Sequence, residues 1–426
     1  MSGLSPKARK RLLLALLLVV GIAVGLVSTH RKEISELVVY VLGAERMAAG
    51  EEIYRPDDAK PFTYPPAFAM PFMVFQWVPE GAHRTVWFFV NLATFVGIVL
   101  MLRRLLLEFL SERGEGPPGT LWIWVVTFLL AGRHVSAVFE NQSHDMMVFF
   151  LVALATFLAT REREGLCGVA IGVAASFKAT PLLFVPVFAW QRRFAAAALT
   201  ALATGIMLWL PDLFFSRLDG EYWVMAWYHT FIAGIGVGET ATDEGAWRAW
   251  NMLNQNLAGT LYRLATPVKP IGRFVWDVSL VDLGSTALKA TTLALQASIL
   301  AFLCWCTRPK LGVDDSQLEG GFRRLGEAGI VACGMVLLSP MSSKAHFCVL
   351  LMALMFTVTH YLAVRRDRIQ LLLLIGVFVT GTLTVKGLVG TAIGNQFLAY
   401  GFVCWSTVLV LIATGRALRI GFRAES

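Results

Sequence analysis

The chain has 426 residues, of which 56% are hydrophobic and 15% are charged, and its formal net charge is +8 at pH 7. Soluble domains are about a quarter charged, so this composition excludes an ordinary soluble protein and predicts a polytopic helical membrane protein. An excess of basic residues by itself would also fit a nucleic-acid-binding protein. The positions of the basic residues along the chain exclude that class, as described below.

Apolar runs recur along the whole chain and predict an all-α bundle of about twelve transmembrane helices. The predicted spans are 11–28, 85–102, 119–131, 146–160, 166–177, 179–190, 195–210, 287–306, 326–338, 346–363, 369–385 and 397–414. No A-x-A cleavage site follows the first run, so we expect a retained helix rather than a signal peptide. The runs 166–177 and 179–190 are broken by Lys178 and Pro181, and they alternatively form one re-entrant hairpin.

Basic residues follow alternate spans, which predicts the orientation of the bundle. With the N-terminus in the cytoplasm, every segment predicted to be cytoplasmic is basic, as the positive-inside rule requires. We therefore expect a multi-pass protein of the cell membrane, such as a bacterial inner membrane, with cytoplasmic N- and C-termini and no nucleic-acid partner. Residues 1–426 then form a single integral-membrane domain with two long outer loops, 29–84 and 211–286.

The first outer loop opens with an amphipathic pattern over 33–48, which predicts a helix lying on the membrane surface. Glu36 and Tyr40 share the face opposite the apolar one, and a solvated carboxylate is the simplest interpretation of Glu36. The stretch KPFTYPPAFAMPF follows, and its prolines make it too rigid for a lipid-facing helix. Tyr64 and Pro65 predict either a stiff wall beside a site or the start of a helix.

Further polar clusters fall on the predicted outer face, and chance would scatter them over both faces. In chain order they contain Arg133, Asn141, Gln142, Lys178, Asn254, Gln255, Lys344 and His346. A lysine between apolar runs either snorkels or pairs with an anion, while Lys344 and His346 beside a helix start are typical of a phosphate site. Asp145 is most simply a helix cap, and no paired histidine spacing supports a metal site. We expect one outward-facing site.

These motifs resemble those of glycosyltransferase family 87, a member of the GT-C superfamily. ELVVY, the glycine after that helix and FTYPP resemble the family's first outer loop, whose pattern is roughly D-x-x-V-Y, a glycine-bearing helix end and F-x-Y-P-P. NQ, GVAASFKATP, NQNLAG and SPMS follow in the family's order, so the resemblance covers residues 30–400 or so.

The resemblance implies a GT-C bundle with a large outer loop. It implies that a hexose, expected to be mannose, moves from a polyprenyl-phosphate carrier to a glycan or glycolipid acceptor. It also implies that Glu36 is the catalytic base, where the family usually has Asp, and that His346 contacts the donor phosphate. The family's S-P-x-S-W-x-H-H is altered, since Ser343 replaces Trp and Ala345 replaces the first His.

The chemistry of the reaction suggests roles for the remaining polar residues. The leaving phosphate needs cations, and Lys344, Lys178 and Arg133 are further candidates. The residues expected to line the substrate site are Tyr40, Tyr64, Pro65, Asn141, Gln142, Asn254 and Gln255. A direct attack by the acceptor hydroxyl would invert the anomeric centre, and neither a metal nor another cofactor is expected.

Two other classes stay open at this stage. A secondary transporter or lipid-linked sugar flippase would need polar residues at mid-span and inverted repeats, and the sequence shows no internal repeat. A catalytically inactive scaffold is the third interpretation, because Glu36 and Ala345 both depart from the family pattern.

Overall fold

The computed structural model describes residues 21–30, 35–114, 119–234, 247–272, 274–308 and 318–422. Residues 11–20 of the first predicted span, and 31–34 and 235–246 of the two predicted outer loops, lie outside these ranges. The described residues form helices and loops with one isolated β-bridge, between Ile271 and Val275, which confirms the all-α class. The α-helices are α1 (21–29), α2 (Glu36–Ala48), α3 (His83–Glu112), α4 (Thr120–Asn141), α5 (Asp145–Ala159), α6 (Glu164–Phe177), α7 (Phe184–Trp190), α8 (Phe194–Phe214), α9 (Trp223–Trp227), α10 (Leu257–Ala265), α11 (Ser285–Cys306), α12 (Leu318–Leu338), α13 (Leu350–Thr359), α14 (Arg368–Val377), α15 (Lys386–Val389), α16 (Thr391–Ala399) and α17 (Phe402–Ile420). The 3₁₀ segments are Pro66–Trp77, Glu80–Ala82, Thr180–Leu183 and His346–Val349.

Several helices are apolar enough to cross a bilayer, and the chain is a multi-pass membrane protein. Within the described ranges, six helical segments have the required length and hydropathy: Glu80–Glu112, Thr120–Asn141, Phe194–Phe214, Ser285–Cys306, His346–Val364 and Phe402–Ile420. The shorter apolar helices are Asp145–Ala159, Glu164–Phe177, Thr180–Trp190 and Arg368–Thr382. The predicted count of about twelve spans therefore stays a prediction.

Helices α6 and α8 approach closely because two glycines on α6 have no side chain. A β-carbon at Gly168 would lie 2.5 Å from the Ala196 carbonyl oxygen, and one at Gly172 would lie 2.7 Å from the Thr200 carbonyl oxygen. The Thr200 hydroxyl donates to the Gly168 carbonyl oxygen at 3.1 Å. Small residues four positions apart are typical of tightly packed membrane helices. This contact fixes the position of α6, and with it the residue that follows, Lys178.

Helices α5 and α6 form a hairpin with one charged cluster at each end. Asp145 begins α5 and Lys178 follows α6, and their side chains meet. At the opposite end Glu164, which begins α6, accepts hydrogen bonds from Arg193 and Arg324. Because α5 has 15 residues and an α-helix rises about 1.5 Å per residue, the two clusters lie about 20 Å apart.

Helix α2 forms as predicted, and the face that carries Glu36 is turned into the protein. Of the predicted apolar face, Val38 and Leu42 are exposed, whereas Leu37 and Val41 are buried. Glu36 and Tyr40 are buried against the 3₁₀ segment Pro66–Trp77 and its neighbours. A solvated carboxylate is therefore the wrong interpretation of Glu36. The position of this helix on a membrane surface stays a prediction.

Gly43 allows the loop after α2 to pack against the helix. A β-carbon at Gly43 would lie 2.6 Å from Cδ2 of Phe62, which is buried. We expect Gly43→Ala to lower the free energy of unfolding by about 1–3 kcal/mol, because the ring must shift in a packed environment. Thermal unfolding of the purified protein in detergent measures this change.

Gly205→Ala is the matched control, since Gly205 is also helical and a β-carbon there meets no atom of the described residues within 4 Å. That control should be neutral or slightly stabilising, because Ala favours a helix over Gly by about 1 kcal/mol. An unchanged melting temperature for Gly43→Ala would contradict the packing described above.

Candidate active site

The Glu36 carboxylate is nearly enclosed by three polar side chains. Tyr40, one turn further along α2, donates its hydroxyl to Oε2 of Glu36 at 2.7 Å. The Tyr64 hydroxyl donates to the same oxygen at 3.3 Å. Nζ of Lys60 lies 3.2 Å from the other oxygen, Oε1. The Glu36 residue is 9% exposed, so its surroundings are fixed by these partners rather than by water.

Electrostatics favour the ionised form of Glu36 and the neutral forms of Tyr40, Tyr64 and His144. Burial alone raises the pKa of the Glu36 carboxyl, but the Lys60 charge and the Tyr40 hydrogen bond outweigh burial and hold this pKa below its ordinary value. Burial raises the pKa of both Tyr40 and Tyr64 well above the ordinary value. Burial lowers the pKa of His144 to about 3. Near neutral pH the carboxylate is therefore the anion of this cluster and the two phenols donate hydrogen bonds to it.

The turn between α4 and α5 brings His144 to Tyr40. Gln142 adopts a left-handed conformation with φ 55°, and its side-chain amide donates to the carbonyl oxygen of Thr29 at 2.7 Å. Nδ1 of His144 then lies 2.9 Å from the Tyr40 hydroxyl oxygen. Because Tyr40 gives its own hydrogen to Glu36, Nδ1 of His144 carries the hydrogen shared with Tyr40. The turn thus holds Tyr40, and through it Glu36, in one orientation.

A second cluster joins Asp145, Lys178 and His346. Nζ of Lys178 donates to Oδ1 of Asp145 at 2.7 Å, and the Ser143 hydroxyl donates to Oδ2 at 2.5 Å. Nε2 of His346 lies 3.7 Å from that same oxygen. Nδ1 of His346 accepts from the Ser343 backbone N–H at 3.2 Å, so the ring hydrogen is on Nε2. A separation of 3.7 Å is too long for a hydrogen bond, and the His346 ring also has a backbone partner at Met341.

Two cavities adjoin at this cluster. The larger, of about 760 Å³, is lined in part by Tyr64, Pro65, Lys178, Trp227, Phe231 and His346. The smaller, of about 280 Å³, has Asp145, Lys178 and His346 in its wall. Tyr64 links the larger cavity to the first cluster, because its ring lines the cavity and its hydroxyl reaches Glu36.

Lys178 provides the positive charge at the cavity, and His346 adds a polar donor. Nζ of Lys178 and Nε2 of His346 are charge-assisted or polar donors of the kind that suits a phosphate group. Within the described ranges, no group of three or more His, Cys, Asp and Glu side chains could hold a metal ion. The arrangement offers a carboxylate for proton transfer and two donors for an anion, joined by an aromatic wall.

Four of the residues singled out in the sequence line the larger cavity: Tyr64, Pro65, Lys178 and His346. Glu36 and Tyr40 line neither cavity and connect to the larger one through the hydrogen bond from Tyr64 to Glu36. Gln142 lies behind them, where its amide fastens the turn. Asn141, the last residue of α4, is half-buried. Lys344 is also half-buried, and its carbonyl oxygen lies 3.2 Å from Nδ1 of His134. Neither Asn141 nor Lys344 lines either of the two cavities.

Three expected site residues point elsewhere. Arg133 donates from Nη1 to the Gly381 carbonyl oxygen and to the Thr384 hydroxyl, both at 2.9 Å, and so fastens α4 to the chain before α15. Oδ1 of Asn254 accepts from the Ser342 backbone N–H at 3.1 Å. Nε2 of Gln255 donates to the Leu398 carbonyl oxygen at 2.7 Å. Because the polar groups of these three residues form hydrogen bonds with backbone groups, the residues hold loops together and are not part of the candidate site.

The structure also adds residues that the sequence did not single out. Asp145, expected only to cap a helix, is the anion that Lys178 pairs with. Lys60 and His144 reach the Glu36 cluster from a loop and a turn. One signal was present for Asp145: a lysine between apolar runs needs an anion, and Asp145 is an acid beside an apolar run on the same predicted face.

Comparison with known proteins gives a consistent set of similarities. The sequence model of glycosyltransferase family 87 matches residues 62–340, a range that contains Tyr64, Asp145 and Lys178 but neither Glu36 nor His346. The chain is 26% identical over 355 residues to the polyprenol-phosphate-mannose-dependent alpha-(1-2)-phosphatidylinositol pentamannoside mannosyltransferase of Mycobacterium tuberculosis (strain CDC 1551 / Oshkosh). That alignment covers 80% of this chain and 71% of the mycobacterial protein. The chain is 26% identical over 372 residues to the protein of the same name from Mycolicibacterium smegmatis (strain ATCC 700084 / mc(2)155), which covers 83% of this chain and 77% of that one. The crystal structure of ArnT from Cupriavidus metallidurans bound to undecaprenyl phosphate covers 97% of this chain and 79% of that chain, with 12% sequence identity and a TM-score of 0.42.

Proposed function

The chain belongs to glycosyltransferase family 87 and is a hexosyltransferase, and from this premise we propose that it transfers mannose from a polyprenyl-phosphate carrier to a glycan or glycolipid acceptor. The observation that supports this reaction is the position of Tyr64, whose hydroxyl donates to Glu36 and which lines the same cavity as Lys178 and His346. Glu36 itself lies behind Tyr64 and is not among the residues that line either cavity. The donor named for the mycobacterial relatives is polyprenol-phosphate mannose.

Glu36 is the general base of the proposed reaction. It accepts the proton of the acceptor hydroxyl while the oxygen attacks the anomeric carbon of the sugar. The bond between that carbon and the phosphate oxygen breaks, and its electron pair leaves with the polyprenyl phosphate. A single displacement of this kind inverts the anomeric centre. Glu is one methylene longer than the family's usual Asp and supports the same chemistry.

Lys178 and His346 stabilise the leaving phosphate. Charge accumulates on the phosphate oxygens as the bond to the sugar breaks, and donors already aimed at that position lower the barrier. Nζ of Lys178 is held in place by Asp145, while Nε2–H of His346 faces the same space. In this proposal Lys178 supplies the positive charge and His346 supplies a hydrogen bond, so the reaction proceeds without a metal.

The site faces away from the cytoplasm in this proposal, and the termini of the single 1–426 membrane domain lie inside. Support comes from the α5–α6 hairpin, whose far end carries the Arg193 and Arg324 cluster, since basic clusters mark the cytoplasmic side. A lipid-linked donor suits an outward-facing site because nucleotide sugars are confined to the cytoplasm. Trp227 and Phe231 give the cavity an apolar wall that suits a prenyl chain.

Tyr64 provides the wall between base and cavity, and two substitutions separate its ring from its hydroxyl. We expect Tyr64→Ala to lower turnover about 10²-fold, because substrate and Glu36 lose the surface that positions them. Tyr64→Phe should cost about tenfold or less, since it keeps the ring and removes a hydroxyl whose hydrogen bond to the carboxylate is long. Steady-state rates of the purified variants measure both effects. Equal turnover for Tyr64→Ala and the wild type would contradict the proposed wall.

Radiolabelled polyprenyl-phosphate mannose, added to sealed membranes that contain the protein, tests the function. Phosphatidylinositol mannosides serve as the acceptor probe because the relatives are named for them. We expect label in the glycolipid fraction, or slow release of free mannose when water replaces the acceptor. Label that changes sides of the membrane while it remains on the polyprenyl phosphate would instead indicate a flippase.

A further inference from the structure

The two oxygens of the Glu36 carboxylate have different surroundings. Oε2 accepts from both Tyr40 and Tyr64, and a carboxylate oxygen has two lone pairs. Oε1 has one partner among the described residues, Nζ of Lys60 at 3.2 Å. An incoming acceptor hydroxyl therefore finds both lone pairs of Oε2 occupied. At Oε1 it has one partner to displace, the Lys60 ammonium.

Lys60 is also more accessible than the carboxylate that it contacts. Its side chain is 35% exposed, against 12% for that of Glu36, while Tyr40 is fully buried. A partially exposed ammonium on a flexible stem can move into water at little cost. Tyr40 has no such freedom, because its hydroxyl is shared with His144.

The loop that carries Lys60 is fastened to the helix that carries Glu36. Arg46, on the last turn of α2, donates from Nη1 and Nη2 to the two carboxylate oxygens of Asp58, with Nη2 at 2.8 Å from Oδ1. Asp58 is two residues before Lys60, so the anchor sets how far the ammonium reaches along α2. Bidentate pairs of this kind give a fixed geometry. The contact between Lys60 and Glu36 is therefore built into the loop.

We propose, resting on Glu36 as the base of the proposed transfer, that Oε1 is the proton-accepting atom and that Lys60 is its positioning partner. In the enzyme without acceptor, Lys60 keeps Glu36 ionised and holds the carboxylate in place through Oε1. When the acceptor binds, its hydroxyl takes the place of the ammonium on Oε1. The hydroxyl proton passes to Oε1, the hydroxyl oxygen bonds to the anomeric carbon, and the phosphate leaves with the electron pair. Lys60 remains an ammonium throughout.

The other charged and titratable groups facing Glu36 come from four places. Tyr40 lies on α2, Tyr64 on the following loop, His144 and Asp145 at the start of α5, and His346 just before α13. Among them Asp145 opposes ionisation of Glu36, and Lys60 is the group with a full positive charge. Loss of the Lys60 charge should therefore raise the pKa of the base more than loss of any neutral neighbour.

The pH dependence of kcat/KM for the acceptor tests the proposal, with radiolabelled polyprenyl-phosphate mannose as donor and phosphatidylinositol mannosides or water as acceptor. The acid limb of this profile follows ionisation of the base. In Lys60→Met and Lys60→Gln we expect its midpoint to move about one unit toward higher pH. Lys60→Arg keeps the charge and should leave the midpoint near that of the wild type.

Arg55→Met is the matched control, because Arg55 lies in the same loop, is about as exposed, and pairs with Glu51 rather than with Glu36. It should not move the acid limb. A uniform loss of activity in Lys60→Met and Lys60→Gln, with the midpoint unchanged, would overturn the proposal while leaving the proposed function intact. Undiminished transfer by Glu36→Gln would overturn both, since Glu36 would then not be the base.

Discussion

Replacing Glu36 by Gln is expected to lower the turnover number by about 10²–10⁴-fold, the usual contribution of a general base. Gln has the same size and keeps an oxygen for Tyr40, but its amide cannot take a proton from the acceptor hydroxyl. Lys178 and His346 are separate from this change, so the affinity for polyprenyl-phosphate mannose should be retained. Single-turnover transfer rates and donor binding, measured on the same preparation, separate the two effects.

Glu36→Asp is the matched control for that substitution. It keeps the negative charge and introduces the acid that the family pattern has at this position, so transfer should remain measurable although the arm is shorter. Full turnover in Glu36→Gln would remove Glu36 from the mechanism. The alternative base would then be Asp145, a carboxylate that lines the smaller cavity.

Replacing Lys178 by Met is expected to produce the largest loss of stability, about 3–5 kcal/mol of unfolding free energy. The side chains of Lys178 and Asp145 are 15% and 5% exposed, so the substitution leaves a buried carboxylate without its cation. Transfer should be lost as well, because the leaving phosphate loses its lysine. Thermal unfolding in detergent and donor binding measure the two consequences.

The double variant Lys178→Met with Asp145→Asn distinguishes stability from function. It removes both charges, so much of the lost stability should return, and the pair should be strongly non-additive in a double-mutant cycle. Donor binding and transfer should stay impaired, because no cation is restored. Recovery of transfer in the double variant would show that Lys178 serves only to neutralise Asp145.

The features predictable from sequence were those carried by local patterns. Helix α2, the break at Lys178 and the apolar spans follow from periodicity, from proline and from the cost of a charge among apolar residues. The family resemblance was confirmed by the match over 62–340. It was visible because short motifs such as FTYPP keep their order even where single positions, such as Glu36, depart from the pattern.

Contacts that depend on the path of a loop could not be predicted from the sequence. The pairing of Lys60 with Glu36 spans an aperiodic stretch, so nothing local indicates that the loop turns back onto α2. The direction of Arg133 was equally hidden, because its partner Gly381 lies 248 positions further along the chain. Asn254 and Gln255 looked like ligands for a sugar, yet buried amides also serve backbone groups, and sequence does not distinguish these uses.

The bond between Lys178 and Asp145 also bears on how the protein enters the bilayer during synthesis. The two residues are 33 positions apart, so their charges can neutralise each other within one helical hairpin, before the C-terminal half of the chain has been made. A lone lysine or aspartate costs about 2.5–3.5 kcal/mol at the centre of a newly inserted helix, and less near its end. Pairing within the hairpin would let α5 and α6 leave the translocon as a unit that carries no uncompensated ion at the end where the two side chains meet.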